Sequence, residues 1–519
     1  MMIKTLIIRS IGTLFVISGL ATGATVRAES PHLALLKEQY KEAHANFAQE
    51  MLQLAEFCRE NSFFSDADEI IKRASPSDEG LIDYDDLPTS VLPDLPKTLG
   101  QAETQWRVQL RKIEEDYSLQ LYRLALQAIQ KRHASFAYQL VRELVYHNPD
   151  HRQGRKLLGY ARDGENWSTP FSKRMRTRGF IDHPRFGWIH KNNVDKYLQG
   201  QRLFDGRWMT AAKEAALRKD FRKGWEVETE HFHIKTNLSQ EKAVEISRQL
   251  ETFHQFFMRE FAAFFQTSDQ MKKLFGGGAV SRGRLQDRHR IYYYSNREEF
   301  VQELQNRNQS TQIATGFYLP QARLSFFYYD DDPEQAKPNQ ETMFHEVTHQ
   351  ILGESGRRLI DVGEHNNFWV IEGFACYLES FEIETVKTDS PEEQQGKIKI
   401  STGNPTHPRI YWAKRIVTAD EFYIPMRQFM SLGKRQFQRP PENHTLHEYY
   451  SQATGLVHFF MHYQDGLYRD AFIEYLSQVY SPIDRVRYNP DSLETLTEVP
   501  FGTLDMQYLD YLKSLKTQR

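Results

Sequence analysis

The sequence predicts an α+β protein in which a region of mixed strands and helices lies between two helical regions. Apolar residues recur at helical spacing over much of residues 29–163. Strand-like and helix-like segments alternate over residues 226–400, and helical periodicity dominates again over residues 401–519. Residues 164–225 join the first two regions. The chain has 519 residues, and at roughly 100–200 residues per domain this length suggests about three domains.

The composition is that of a folded protein without a strong overall charge. Hydrophobic residues make up 40% of the chain and aromatic residues 13%, which is enough to build large apolar cores and argues against disorder. The formal net charge is only -3, because acids and bases are nearly equal in number. We therefore expect no nucleic-acid partner and no strong field toward a membrane surface.

The first residues predict export. Lys4 and Arg9 precede an apolar run from Ile11 to Leu20, and Val26-Arg27-Ala28 offers small residues at the cleavage positions. We interpret residues 1–28 as a signal peptide and expect a periplasmic or extracellular protein. The alternative is an uncleaved membrane anchor, but the apolar run is shorter than the ~20 residues that span a bilayer. We expect no stable membrane insertion after cleavage.

The helical amino-terminal region, residues 29–163, includes one recognisable helix pair. Leu121 to Tyr160 shows two apolar stripes that end at Asn148-Pro149-Asp150, a pattern that resembles one tetratricopeptide-like (TPR-like) hairpin. An irregular helical cap explains the same pattern equally well. In either form, this region is a candidate surface for a protein partner.

The residue pattern changes in the connecting segment, residues 164–225. Tryptophans follow glycines closely at Trp167, Trp188 and Trp208, while Pro170 and Pro184 break any long helix. This predicts short strands joined by turns.

The mixed region begins with regular alternation. His231 to Thr236 predicts a strand, Gln240 to Phe265 a helix, and Arg290 to Tyr294 a second strand that leads into a helix from Glu298. Gly316 to Tyr329 then predicts two strands joined by a turn at Pro320-Gln321. We interpret the second of these strands, Leu324 to Tyr329, as an edge strand that could pair with an extended peptide; an ordinary sheet edge is the alternative.

The segment with the most specific chemistry is His345-Glu346-Val347-Thr348-His349. On a helix, residues i and i+4 lie one turn apart on the same face, so the two imidazoles can share one zinc ion. Phe344, Ile351 and Leu352 give this helix an apolar face. Glu346 can lean toward the open coordination position, where a carboxylate can take a proton from bound water. This is the chemistry of metal-assisted hydrolysis.

A catalytic zinc site needs a third protein ligand. Only Glu372 lies in a segment, Phe368 to Glu379, that looks like a buried helix, and a rigid element holds a ligand better than a polar loop does. His365 and Glu364 remain alternatives. Ser355 stands where the metzincin arrangement would place a histidine.

Two further residues of the same segment could contact the site. Glu379 could orient a ligand histidine, although a structural or surface carboxylate explains it too. Cys376 is interpreted as a buried thiol, and because Cys58, the only other cysteine, is far away in the chain, no disulfide is expected.

At this point the sequence resembles a known group. The motif His345 to His349 followed by Trp369-Val370-Ile371-Glu372-Gly373-Phe374-Ala375-x-Tyr377-x-Glu379 is similar to the gluzincin signature, in particular that of aminopeptidase-N-like enzymes. From about Gly164 to the end, the chain also resembles a bacterial family of exported proteins with a peptidase-MA-like zincin domain. The resemblance implies zinc (Zn2+) bound by His345, His349 and Glu372, Glu346 as general base, and a thermolysin-like catalytic domain.

The resemblance also points to Tyr450-Ser451-Gln452-Ala453-Thr454-Gly455, which looks like the tyrosine-bearing helix of aminopeptidase-type gluzincins. It implies that Tyr450 stabilises the oxyanion, with Tyr449 as its competitor. A donor aimed at developing charge contributes roughly 3–4 kcal/mol. The Gly-x-Met-Glu-Asn segment that captures a free amine in aminopeptidases is absent from the sequence. We therefore expect a zinc endopeptidase that acts on peptide or protein substrates. The alternatives are a non-catalytic zincin-fold scaffold of the cell envelope and a hydrolase of non-protein amides.

Overall fold

A computed structural model describes residues 31–75, 87–278, 288–307, 315–355, 361–386 and 397–517. The predicted signal peptide, residues 1–28, lies outside the described residues. Over the described ranges the protein is a mixed α/β structure, mostly helical with small sheets, which agrees with the predicted α+β class.

The amino-terminal region is helical, as predicted, and forms its own core. The predicted pair between Leu121 and Tyr160 comprises the end of a long helix and the shorter helix after it, which pack closely together. The shorter helix ends at His147, directly before Asn148-Pro149-Asp150. The helices are α1 (Pro31–Glu60), α2 (Phe64–Arg73), α3 (Gln101–Gln130), α4 (Ala134–His147) and α5 (Arg152–Leu157).

The segment predicted as a connection with short strands forms three antiparallel β-hairpins, each followed by a short helix. The first hairpin and its helix are β1 (Ala161–Asp163), β2 (Asn166–Ser168) and α6 (Pro170–Thr177). The second set is β3 (Phe180–His183), β4 (Gly187–His190) and α7 (Val194–Leu198). The third is β5 (Gln201–Phe204), β6 (Arg207–Thr210) and α8 (Ala211–Arg218).

The central sheet has five strands in the order β10-β11-β9-β8-β7. The strands β8, β9 and β11 run parallel, and the antiparallel strands β7 and β10 form the two edges. The strands are β7 (Trp225–Glu228), β8 (Phe232–Thr236), β9 (His289–Tyr294), β10 (Gly316–Leu319) and β11 (Leu324–Tyr328). The helices between them are α9 (Gln240–Glu260), α10 (Ala262–Phe265), α11 (Ser268–Phe275) and α12 (Arg297–Asn306).

The prediction that Leu324 to Tyr329 forms an edge strand is wrong. The strand β11 lies between β10 and β9, and all five of its residues are buried. The physical reason is its near-continuous apolar sequence, which suits a strand covered on both faces. The edge strand beside β11 is β10, the other edge being β7, so pairing with an extended peptide on this side of the sheet would use β10.

The sheet leads into two helices, α13 (Ala336–Glu354), whose second half is mostly buried, and α14 (Phe368–Leu378), which is buried almost throughout. A hairpin that the sequence analysis did not predict follows, formed by β12 (Glu382–Val386) and β13 (Lys397–Ser401). The rest is helical, as predicted: α15 (Pro408–Thr418), α16 (Met426–Met430), α17 (Lys434–Gln438), α18 (Leu446–His462), α19 (Arg469–Val479), α20 (Asp484–Tyr488), α21 (Leu493–Thr497) and α22 (Phe501–Ser514).

One continuous apolar core joins the sheet, α13, α14 and the carboxyl-terminal helices. Phe253 of α9 stacks on Phe344 of α13, and Phe374 of α14 packs near Phe472 of α19 within the same cluster. The carboxyl-terminal helices therefore belong to the same packed unit as α13 and α14. Within the described ranges, no helix combines the length and the apolar character needed to cross a membrane.

Candidate metal centre

Two imidazoles of α13 point to one place. His345 and His349 are one helical turn apart, and their Nε2 atoms lie 3.2 Å from each other. Both side chains are largely buried, with exposed fractions of 14% and 17%. Two adjacent nitrogen lone pairs in a partly closed site suit a metal ion.

Glu372 of α14 completes the set. Its Oε2 atom lies 3.6 Å from His345 Nε2 and 3.9 Å from His349 Nε2. Every residue of α14 except Glu372 is buried, so this carboxylate is the polar group that the helix presents to the site. The structure thus brings together the three predicted ligands, whereas the alternatives Glu364 and His365 lie exposed outside the group.

The spacing of these three atoms fits zinc. A triangle with sides of 3.2, 3.6 and 3.9 Å has a centre about 2.1 Å from each corner, and Zn–N and Zn–O bonds are ~2.0–2.2 Å long. Two imidazoles with one carboxylate are also a donor set that catalytic zinc sites use. The exposed fractions of the ligands leave a side of the site open to a small molecule.

A close helix crossing places Glu372. A Cβ atom added at Gly373 would lie 2.6 Å from the carbonyl oxygen of Ala453 in α18, so only glycine allows the two helices to approach this closely. The crossing brings Glu372 beside the first turns of α18. The sequence analysis assigned no role to Gly373, although it stands next to the proposed ligand.

Glu379 orients the first histidine. Its Oε1 atom lies 2.8 Å from His345 Nδ1, and Arg409 donates two hydrogen bonds to the same carboxylate, at 2.6 and 3.0 Å. With Nδ1 engaged, the ring is held so that Nε2 faces Glu372. Of the two sequence interpretations of Glu379, the geometry favours the orienting one. Arg409 was not found by sequence reasoning, because no local pattern links it to a residue 30 positions earlier.

The electrostatics of the site favour a cation. Burial alone would raise the pKa of Glu372, but the nearby imidazoles of His345 and His349 outweigh burial and lower it to about 2. Burial would likewise raise the pKa of Glu379, yet its bonds to His345 and Arg409 lower it to about 2. Burial lowers the pKa of His349 and so favours the neutral imidazole that binds a metal. Burial would also lower the pKa of His345, but its contacts with Cys376, Glu372 and Glu379 raise it.

Glu346 is held beside the histidines by the edge strand. The backbone N–H of Tyr318 in β10 donates to Glu346 Oε2 at 2.9 Å, which leaves Oε1 without that contact. Glu346 is partly exposed, in keeping with a carboxylate that can reach solvent. The contact with Tyr318 was not foreseen, since the edge strand had been assigned to β11.

Of the two candidate tyrosines, Tyr450 is the one at the site. Burial together with the nearby charge of the Glu372 carboxylate raises the pKa of Tyr450. Tyr449 is 4% exposed and packs among the rings of Phe429 and Phe437 in the core.

Cys376 is a buried free thiol, as predicted, and Cys58 is also free. The Sγ atom of Cys376 lies 3.9 Å from His345 Nδ1. Together with Glu379 it could form a second donor group around the same imidazole. Because Arg409 already holds the Glu379 carboxylate, we interpret this group as support for His345.

No protein-family model matches the sequence, and the search of curated proteins finds no significant match. The function must therefore be argued from the residues of the metal centre.

Proposed function

We propose that this protein is a zinc-dependent peptidase, most simply an endopeptidase, with its active site at the metal centre. The observation that carries the proposal is the convergence of His345, His349 and Glu372 beside Glu346, whose carboxylate β10 holds in place. Part of the same proposal is a thermolysin-like arrangement of residues 226–400.

When bound, zinc would lower the pKa of a water molecule and polarise the carbonyl under attack. The protein's own contribution begins with Glu346. Its Oε2 atom is fixed by Tyr318, so Oε1 is the atom that would accept a proton from the attacking water and return it to the leaving amine. Glu379 and Arg409 hold His345 in one orientation throughout.

Tyr450 would stabilise the oxyanion. Because its pKa is raised, the hydroxyl stays protonated at neutral pH and can donate a hydrogen bond. In this role its hydroxyl would donate a hydrogen bond to the developing charge on the substrate.

The strand β10 offers a place for the substrate backbone. In an antiparallel pair, alternate residues direct N–H and C=O away from the partner strand. Since the Tyr318 N–H points to Glu346 rather than to β11, Tyr318 and Gly316 carry the outward-facing groups. With that N–H taken by Glu346, the Tyr318 C=O and the N–H and C=O of Gly316 would be left for a peptide. An extended peptide paired there would pass the metal centre, and it would need no free terminus. This is why endopeptidase action is preferred.

Export and a partner surface remain parts of the proposal. We infer that residues 1–28 are removed as a signal peptide and that the helical, TPR-like region 29–163 can hold a protein partner. The mass of the mature protein recovered from the producing cells tests the first point, since cleavage after Ala28 leaves Glu29 as the first residue.

The test of the activity is hydrolysis of a diverse peptide mixture, read by mass spectrometry with and without a chelator. We expect cleavage that stops on chelation and returns with zinc. Glu346→Gln should retain one zinc per chain while hydrolysis falls by about 10²–10⁴-fold.

Two results would contradict the proposal. Turnover of Glu346→Gln at the wild-type rate would remove Glu346 from the mechanism. Well below one zinc per chain after metal loading, with no cleavage, would favour the scaffold alternative; full zinc occupancy without peptide cleavage would instead direct attention to non-protein amides.

A further inference from the structure

The three hairpins and their helices form a tandem repeat. The units are residues 159–178, 179–199 and 200–223, and each consists of a β-hairpin followed by a short helix. We call residues 159–223 the basic module. The sequence analysis noted its tryptophans but not their periodicity.

The units agree in detail. Each begins with a glycine in the left-handed region, Gly159, Gly179 and Gly200, with φ of 88°, 83° and 77°. Each places a tryptophan second in its second strand, and the residue two positions later accepts a hydrogen bond from the backbone of the following turn. The tryptophans are Trp167, Trp188 and Trp208, and the capping residues are Thr169, His190 and Thr210.

The module carries a strong positive charge. Residues 159–223 contain fifteen Lys and Arg against seven Asp and Glu, a formal charge of +8, although the whole chain carries -3. The rest of the chain must therefore carry -11. The near balance over the full sequence hides a segregation of charge, and the expectation of no field toward a membrane does not hold for this segment.

Many of these charges are exposed and available. Within the described ranges, no carboxylate lies within ion-pair distance of Lys191, Arg207, Lys213, Lys219 or Lys223, all of which are exposed. An exposed cation without a partner is free to meet an external anion at little desolvation cost.

Other cations of the module cover its aromatic rings. Arg178 lies 5.6 Å from the Phe180 ring centre, Lys196 lies 4.4 Å from that of Trp208, and Arg202 lies 4.6 Å from that of Phe186. Rings that already carry cations are poor platforms for stacking bases or sugars. The module is therefore better suited to contacts with anionic groups than to stacking.

The module also exposes two large apolar side chains. Leu198 at the end of α7 is 62% exposed, and Ile181 in β3 is 40% exposed. Positive charge combined with exposed apolar side chains is what peripheral proteins use at anionic lipid surfaces.

The module lies away from the metal centre. Arg185 and Arg202 both pair with Glu241 at the start of α9, and the module leads directly into β7. Since β7 and β10 are opposite edges of the sheet, the module joins the sheet at the edge remote from the strand that contacts Glu346.

We propose that the basic module docks the protein on a membrane surface rich in anionic phospholipid. The contact is peripheral: lysine and arginine side chains meet headgroup phosphates, and Leu198 enters the interface. Docking by β7 leaves the β10 edge facing away from the lipid, so a substrate can still reach it.

The test is cosedimentation of the full chain with vesicles. We expect binding to phosphatidylcholine vesicles that contain phosphatidylglycerol, little binding to pure phosphatidylcholine, and loss of binding at high salt. Lys213→Glu/Lys219→Glu/Lys223→Glu should weaken binding by about 100-fold or more, since each basic residue near an anionic surface contributes about 1 kcal/mol. Leu198→Ser should weaken vesicle binding relative to the wild type without altering its salt dependence.

The matched control reverses three exposed lysines of the helical region, Lys97→Glu/Lys112→Glu/Lys131→Glu, which changes the net charge equally. This variant should bind vesicles like the wild type. Equal losses in both triple variants would overturn the proposal, because they would show a net-charge effect. So would binding of a DNA duplex that the module variant abolishes while vesicles are not bound. Chelation of zinc should leave vesicle binding unchanged, which separates this test from that of hydrolysis.

Discussion

The two edges of the central sheet differ in the number and the exposure of the charged groups beside them. At the β10 edge, the metal centre has a few polar groups that are largely buried. A single carboxylate, that of Glu379, binds both His345 and Arg409. At the β7 edge, the basic module has many charges, and most are exposed. The metal centre holds individual ligand atoms in fixed positions, whereas the basic module creates a positive electrostatic field.

This difference teaches how each edge should respond to substitution. A site that depends on the position of single atoms loses function when one atom is removed. A surface that depends on summed charge loses function gradually.

After the loss of Glu346, removal of one hydroxyl at the metal centre should have the next largest effect. Tyr450→Phe should lower kcat about 10²–10³-fold, because a donor aimed at the oxyanion is lost, while zinc stoichiometry stays the same. Tyr449→Phe is the matched control, since that ring lies in the core, and it should keep wild-type kcat. Steady-state kinetics of both variants decide the point: an unchanged kcat in Tyr450→Phe would exclude the assigned role.

Loss of the orienting charge should have a smaller effect. Glu379→Gln should weaken zinc affinity about 10–100-fold, because the carboxylate no longer fixes His345. Competition with a chelator of known affinity measures this. The control is Glu382→Gln, because the Glu382 carboxylate pairs with the exposed Lys337 and not with a histidine of the site. If both variants hold zinc equally well, Glu379 has only a packing role.

A single charge in the basic module should matter least. Lys213→Glu alone should weaken vesicle binding only about threefold to tenfold and leave peptide hydrolysis unchanged. Titration of vesicles and a peptide assay on the same preparation test this. A complete loss of binding would mean that the module contains one specific site rather than a distributed surface.

Much of the metal centre could be predicted from the sequence because its geometry is local. His345 and His349 are placed by the helix itself, and Glu372 was found because its apolar neighbours predict a buried helix. Tyr449 and Tyr450 could not be separated in the same way, since both are aromatic and adjacent, and only the packing of α18 decides which one faces Glu372.

What could not be predicted depends on long-range pairing. The sequence shows two strands between Gly316 and Tyr329 but not which of them joins β9, although the continuous apolar run of β11 is a signal for an inner strand. The hairpin of β12 and β13 was missed despite the alternation in Lys397 to Ile400. The pairing of Arg409 with Glu379 has no signal in a single sequence.

Tyr318 has a consequence for how substrates of different length should be handled. Its backbone binds Glu346, and its hydroxyl lies 3.4 Å from Glu354 Oε1, so one residue of β10 contacts α13 at two points two turns apart. A long peptide seated along β10 would press on the same residue that positions the base. Occupation of subsites remote from the scissile bond should then raise turnover as well as affinity. Truncation of a substrate should therefore lower kcat.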